Sequence, residues 1–222
     1  MAAARKSTAA TWRSLALGRD PVRRAIYVVG MLPAVSNFYF ALMDQLGADP
    51  QKTLERTLGV WALRFLIVCL AITPLRRLGG PNLVRYRRSL GLLAFYYAAL
   101  HLTVYTVLDQ GLDLAAIWAD ILKRPYITVG MMAFLILVPL AVTSNTAMIR
   151  RLGASAWQRL HRFIYLAAAA AAVHFIMLVK AWPAEPLIYA TLVAALLLLR
   201  LVFKLQRRAR PDRRARPEAA RA

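Results

Sequence analysis

Residues 157–175 read WQRLHRFIYLAAAAAAVHF. Arg159 and Arg162 mark one end, and from Ile164 to Val179 no acidic or basic side chain other than His174 interrupts the run. A hydrocarbon core ~30 Å thick is crossed by ~20 apolar residues in a helix. The segment Leu160–Leu178 fits that length. Small residues such as Ala167–Ala172 let helices pack closely, or leave room for a flat ligand. The fold is decided by whether the rest of the chain repeats this pattern.

It does. The 222 residues are 60% hydrophobic, with mean hydropathy +0.50, against ~45–50% apolar for a soluble domain. The apolar segments are Ile26–Met43, Leu58–Ile72, Leu90–Leu108, Tyr126–Val142, Leu160–Leu178 and Leu187–Leu205. The expected fold is all-α, an integral membrane bundle of about six transmembrane helices. Leu58–Ile72 is short and contains Arg64, so five spans with one re-entrant segment is the rival arrangement. No apolar stretch precedes Ile26, so the first segment is expected to stay as an anchor and not to be cleaved as a signal peptide.

The charges fix a direction. The net charge is +20, from 30 Lys and Arg against 10 Asp and Glu. Arginines crowd before Ile26, between the second and third segments (Arg76, Arg77, Arg85, Arg87, Arg88), around Arg150–Arg162, and after Arg200. The alternate gaps hold Asp44, Asp49, Glu55, Asp109, Asp113, Asp120 and Glu185. Every second loop is basic, as expected when both termini are cytoplasmic. This distribution accounts for most of the charge without nucleic acid as a partner. The lipid bilayer is the partner it implies. Three regions follow: a basic cytoplasmic segment over 1–25, a transmembrane domain over 26–205, and a basic, disordered cytoplasmic tail over 206–222. The tail is suited to anionic headgroups.

Two outer gaps carry helix signals. In ADPQKTLERTLG (48–59), Asp49 is placed as an N-cap with Pro50 at the first helical position, which predicts a short helix there. In LDLAAIWADILKRP (112–125), Leu114, Ile117, Trp118, Ile121 and Leu122 form one stripe, which predicts an interfacial helix. That helix is either a lid on the bundle or part of a docking surface. Trp61, Tyr126, Trp182 and Tyr189 near helix ends are expected interface anchors.

The three histidines lie inside apolar segments, where ionisable groups usually face the bundle interior and pair or bind something. His101 and His174 lie on segments that run the same way. His101 is ~16 Å beyond Leu90 and His174 ~21 Å beyond Leu160 at 1.5 Å per residue. Both therefore fall in the outer half at similar depth. Two level histidines on separate helices are what a bis-histidine haem iron needs; plain interhelical hydrogen bonding is the alternative. His161 is near the opposite end, ~20 Å and ~140° around an ideal helix from His174. It has no level partner, and it is either an interfacial polar residue or a ligand. Arg64 either snorkels outward or pairs with an anionic group such as a haem propionate. The single cysteine, Cys69, and the lack of C-x-x-C-H exclude an internal disulfide and covalent c-type haem.

The stretches RRSLGLLAFYYAALHLTVYTVLD, KRPYITVGMMAFLILVPLAVTS, RRLGASAWQRLHRFIYLAAAAAAVHF and EPLIYATLVAALLLLRL together resemble the MsrQ (formerly YedZ) family. These are the haem-binding membrane subunits of bacterial protein-methionine-sulfoxide reductase systems. LGADPQKTLERTLGVWALRFLIVCLAITPLRRL fits the same family, and the likeness runs from about Ile26 to Leu205. It places the chain in the ferric-reductase-like transmembrane group, whose members pass electrons through b-type haem. It implies a multi-pass protein of the bacterial inner membrane. Electrons would come from quinol or a cytoplasmic flavin reductase and pass to a periplasmic, molybdopterin-dependent methionine sulfoxide reductase that repairs oxidised proteins. FMN is implied by the resemblance alone. The chain would be an electron-transfer subunit and not the catalytic one.

Ferric reductases carry two histidines on each of two helices, for two stacked haems. Here His101 and His174 match as ligands of one haem b. Arg87 and Arg88 stand where the inner partner of His161 would be, which puts a second haem in question. His161 is then a candidate for a second haem or another cofactor, with Arg87 and Arg88 as candidate propionate or phosphate contacts. The rivals are a stand-alone ferric or metal reductase and, from another class, a cofactor-free transporter or assembly factor.

Overall fold

Asp20 opens the first helix by accepting hydrogen bonds from the Val22 and Arg23 amides, with Pro21 at the first helical position. The structure, a computed structural model, describes residues 20–179 and 183–209. Most of the 1–25 and 206–222 segments, and the Trp182 anchor, lie outside the described residues. The helices are α1 (Pro21–Leu42), α2 (Pro50–Arg77), α3 (Arg87–Val104), α4 (Leu114–Lys123), α5 (Pro125–Val142), α6 (Thr146–Leu152), α7 (Ala154–Leu160), α8 (Ile164–Leu178) and α9 (Ala184–Ala209). Single 3₁₀ turns at Val84–Tyr86 and His161–Phe163 lead into α3 and α8, and a π turn at Tyr105–Asp109 extends α3. Among the described residues six helical stretches are long and apolar enough to cross a membrane, so the chain is a multi-pass membrane protein. The re-entrant alternative is not what is found.

Two boundaries differ from expectation for a local reason. Asp49 does cap the Lys52 amide with Pro50 at the first helical position. No breaker separates that start from the apolar run, so the expected short outer helix becomes the first turns of α2. At 28 residues α2 is the longest element, where hydropathy suggested the shortest. Likewise α1 begins at Pro21 and not at Ile26, because the cap and proline, and not the apolar run, decide where a helix starts.

The helices run up and down, with α2, α3, α5 and α8 at the centre. α2 packs along α3, α5 packs along α8, and α9 closes against α8 and α2. The main core joins Leu63, Leu66, Leu70, Ala94, Leu137, Ala167, Ala168 and Phe175. A second cluster binds α1 to the hairpin α2/α3 through Ala34, Leu58, Tyr97 and Val104. Tyr97 is fully buried. Its hydroxyl donates to the Gly30 carbonyl (2.7 Å) and accepts from the Ala34 amide (2.9 Å). It thereby enters the α1 ladder beside Pro33, a combination that bends helices. Apolar side chains left exposed on the outer helices, including Leu32, Val35, Leu198 and Leu201, are the surface a bilayer covers.

One end of the bundle carries the start of α1, the α2–α3 connection, the α5–α8 connection and the last turns of α9; it is the basic end. The acidic end carries the other connections and α4. Asp113 caps α4 at Ala115 and Ala116. Its apolar stripe divides: Ile117 and Ile121 are half-buried, while Leu114, Trp118 and Leu122 are exposed. Asp120 ties α4 to the bundle through Tyr105 and Arg124.

Candidate functional site

His101 and His174 face each other across the centre of the bundle, with ring centroids 6.2 Å apart and planes at 74°. Each is held from behind by a backbone carbonyl on the partner helix of its hairpin. His101 Nδ1 donates to the Glu55 carbonyl (2.9 Å), and His174 Nδ1 donates to the Tyr126 carbonyl (2.6 Å). A carbonyl can only accept, so Nδ1 carries the proton in both rings and both Nε2 lone pairs are free. The Glu55 carboxylate is 3.9 Å from His101 Nε2, beyond hydrogen-bond reach.

A glycine lies one turn beyond each carbonyl. A Cβ on Gly59 would stand 3.2 Å from His101 Nδ1, and one on Gly130 would stand 2.8 Å from His174 Nδ1. The glycines let each imidazole lie against the neighbouring helix and reach the carbonyl four residues earlier. The two halves match: Glu55, Gly59 and His101 on α2/α3; Tyr126, Gly130 and His174 on α5/α8. Both rings line a cavity of about 430 Å³, whose walls also include Ala62, Leu66, Ala98, Ala133, Leu137 and Ala171.

This arrangement fits a haem iron. Metal–imidazole bonds are ~2 Å long, so two imidazoles on opposite sides of one metal have ring centres roughly 6 Å apart. Axial histidines commonly donate their other N–H to a carbonyl, which fixes the ring and strengthens the ligand. Among the described residues no group of three or more His, Cys, Asp and Glu could enclose a bare ion. A two-histidine site suits a metal whose other positions a macrocycle fills, and the small, apolar walls suit a flat macrocycle.

The remaining candidates are elsewhere. Arg64 does not line the cavity. Its Nε donates to the Tyr189 hydroxyl (2.6 Å), and its guanidinium stacks over Trp61. His161 is at the basic end, in the 3₁₀ turn before α8. Its ring stacks on Trp157 at 3.9 Å, and Nε2 is 3.1 Å from Thr143 Oγ1. The Thr143 hydroxyl gives its proton to the Pro139 carbonyl (2.6 Å), so Nε2 of His161 is the donor. Arg87 and Arg88 open α3 at this same end. Near them Arg200 donates to the Tyr165 hydroxyl and the Leu70 carbonyl. The buried Nε atoms of Arg87 and Arg200 have no hydrogen-bond partner among the described residues.

The backbone acceptors at Glu55 and Tyr126 were not legible in the sequence, since every residue has a carbonyl. The glycines left a signal, an isolated Gly inside an apolar helical run, though close packing alone gives the same one.

Known proteins resemble this chain over most of its length. A family model described as the ferric reductase like transmembrane component matches residues 58–172, a span that includes His101 and His161 and ends two residues before His174. Curated relatives from Brucella ovis, Brucella canis and Brucella melitensis biotype 2 are each 58% identical over 194 residues. The match covers 87% of this chain and 88% of each relative. Each bears the name protein-methionine-sulfoxide reductase heme-binding subunit MsrQ.

Proposed function

This chain belongs to the ferric-reductase-like transmembrane family, among its MsrQ heme-binding subunits, and from that premise we propose that His101 and His174 are the axial ligands of one haem b that relays electrons across the bundle. The observation that carries this reading is the pair of Nδ1–H bonds to the Glu55 and Tyr126 carbonyls, which leave both Nε2 lone pairs free on two rings whose centroids are 6.2 Å apart. A bis-imidazole haem supplies a one-electron carrier with no open position for substrate. The protein orients the two rings, excludes water with small apolar walls, and sets the depth of the group near the acidic end.

Positive-inside bias assigns the basic end to the cytoplasm and the acidic end to the periplasm of a bacterial inner membrane. Electrons then enter at the basic end, from quinol or a cytoplasmic flavin reductase, and leave at the acidic end. Their acceptor is a periplasmic, molybdopterin-dependent methionine sulfoxide reductase. The chain is the electron-transfer subunit and its partner the catalytic one. At the basic end His161, with Arg87 and Arg88 opening α3 at the same end, is the candidate site for a second carrier, a haem or FMN. The partnerless Nε atoms of Arg87 and Arg200 support an anionic group there, because buried guanidinium donors left unpaired are costly.

The test is a reduced-minus-oxidised difference spectrum of the purified protein, followed by reoxidation on adding the purified periplasmic reductase and a sulfoxide substrate. A b-type haem signal that bleaches only with both additions is expected. A colourless protein overturns the haem reading. A signal that bleaches with ferric chelate but not with the reductase makes the chain a metal reductase instead.

A further inference from the structure

A haem carries two carboxylates, and the cavity has only one end that can meet them. Most of its lining is apolar, and the cations among its described lining residues are Lys52, Arg56 and Arg124, at the acidic end. We propose that Arg56 and Arg124 hold the two propionates, so that the carboxylate edge of the haem faces the acidic end. This rests on the haem reading above and assigns a role that falls to neither Arg64, bound to Tyr189 and Trp61, nor Arg87 and Arg88 at the basic end.

Each arginine lies within two residues of a carbonyl that holds a histidine, at different offsets in the two halves. Arg56 directly follows Glu55, whose carbonyl holds His101, and Arg124 lies two residues before Tyr126, whose carbonyl holds His174. Each half thus contributes a ligand, the carbonyl that orients it, the glycine that admits it, and a cation beside it. Both arginine side chains are about half exposed, at 49% and 53%. A carboxylate paired there keeps part of its hydration, so the desolvation penalty of a buried ion pair is largely avoided. Each guanidinium already touches a carboxylate: Arg56 reaches Glu185 of α9 at 2.9 Å, and Arg124, at the end of α4, bonds Asp120 one turn back at 3.1 Å. Those contacts hold the arginines at the mouth and leave further donors, since a guanidinium has five N–H groups in a fixed fork. Lys52 is turned toward Asp49 at 2.8 Å and is more exposed.

The mouth also holds Glu55 and Asp109. Their charge opposes two incoming carboxylates, so both arginines are needed to offset it. Charge near the propionates also acts on the iron: a lost cation disfavours the added electron and lowers the midpoint potential, and a lost anion raises it.

The test compares the haem-loaded wild type with Arg56→Gln, Arg124→Gln, the double variant, Arg64→Gln, Glu185→Gln and Glu55→Gln. It reads haem per protein, midpoint potential and the rate of haem transfer to apomyoglobin. Arg56→Gln and Arg124→Gln each lower the potential and speed haem loss roughly tenfold, the equivalent of one charge-assisted hydrogen bond, and the double variant exceeds either. Arg64→Gln leaves both readings unchanged, and Glu55→Gln raises the potential. Glu185→Gln breaks the same ion pair as Arg56→Gln but does not lower the potential, which separates charge from loosened packing. A double variant with wild-type potential and haem loss overturns the assignment, as does a downward shift in Arg64→Gln or Glu185→Gln. A colourless wild type overturns the haem reading itself, and this inference with it.

Discussion

His174 and His161 lie on one membrane-crossing stretch, Ala154–Leu178, and use their ring nitrogens in opposite ways. His174 gives its Nδ1 proton to a carbonyl and leaves Nε2 free, and its ring lies 6.2 Å from that of a second histidine that does the same. His161 gives its Nε2 proton to Thr143 and lays its ring on Trp157. Residue type is shared; the difference is what stands behind each ring. A backbone carbonyl fixes a tautomer whose outward nitrogen can bind metal. A side-chain hydroxyl and an indole fix a ring by its far nitrogen and its face.

The comparison can be broken at several points. The largest effect is expected from His101→Ala and His174→Ala, each of which abolishes the haem absorbance of purified protein while the helical circular dichroism stays. Next come the glycines. Gly130→Ala places a Cβ 2.8 Å from Nδ1 and 2.9 Å from Cε1 of His174, inside any normal contact distance, so the ring must move off its carbonyl. Gly59→Ala meets His101 at 3.2 Å and 3.3 Å and needs a shift of only a few tenths of an ångström. Haem occupancy should therefore fall much further in Gly130→Ala than in Gly59→Ala; equal occupancies would mean that the glycines serve helix packing and not the ligands.

His161→Ala keeps the bis-imidazole signal and alters a separate component or the rate of reduction from the basic end, read by titrating haem per protein in variant and wild type. The smallest effect belongs to Thr143→Val, which removes one hydrogen bond to His161. About 1 kcal/mol of stability is expected to be lost, seen as a small drop in detergent melting temperature with the haem spectrum unchanged.

The parts of this architecture that depend on water avoidance were legible in the sequence. Six apolar stretches became six helices long and apolar enough to cross a membrane among the described residues, and the similar level expected of His101 and His174 from helical rise is consistent with rings 6.2 Å apart. The start of α2 was not legible from hydropathy, because Lys52, Glu55 and Arg56 extend the helix past the apolar run. That extension carries the Glu55 carbonyl that holds His101. The outer turns of α2 are thus part of the site, although their side chains look like those of a surface loop. Tyr126 likewise looked like an interface anchor, and it is its carbonyl that reaches His174. Side-chain chemistry is written in the sequence, but backbone acceptors emerge only when two helices pack at a given register. The inner arginines were found by charge pattern, whereas Arg200 entered the basic-end group through the packing of α9.

The most direct test of the central claim is the low-temperature electron paramagnetic resonance spectrum of the oxidised protein, recorded for wild type, His161→Ala and His174→Ala. The predicted result is a low-spin ferric signal of two imidazole ligands that survives in His161→Ala and disappears or turns high-spin in His174→Ala. A low-spin signal that persists in His174→Ala and is lost in His161→Ala would contradict it.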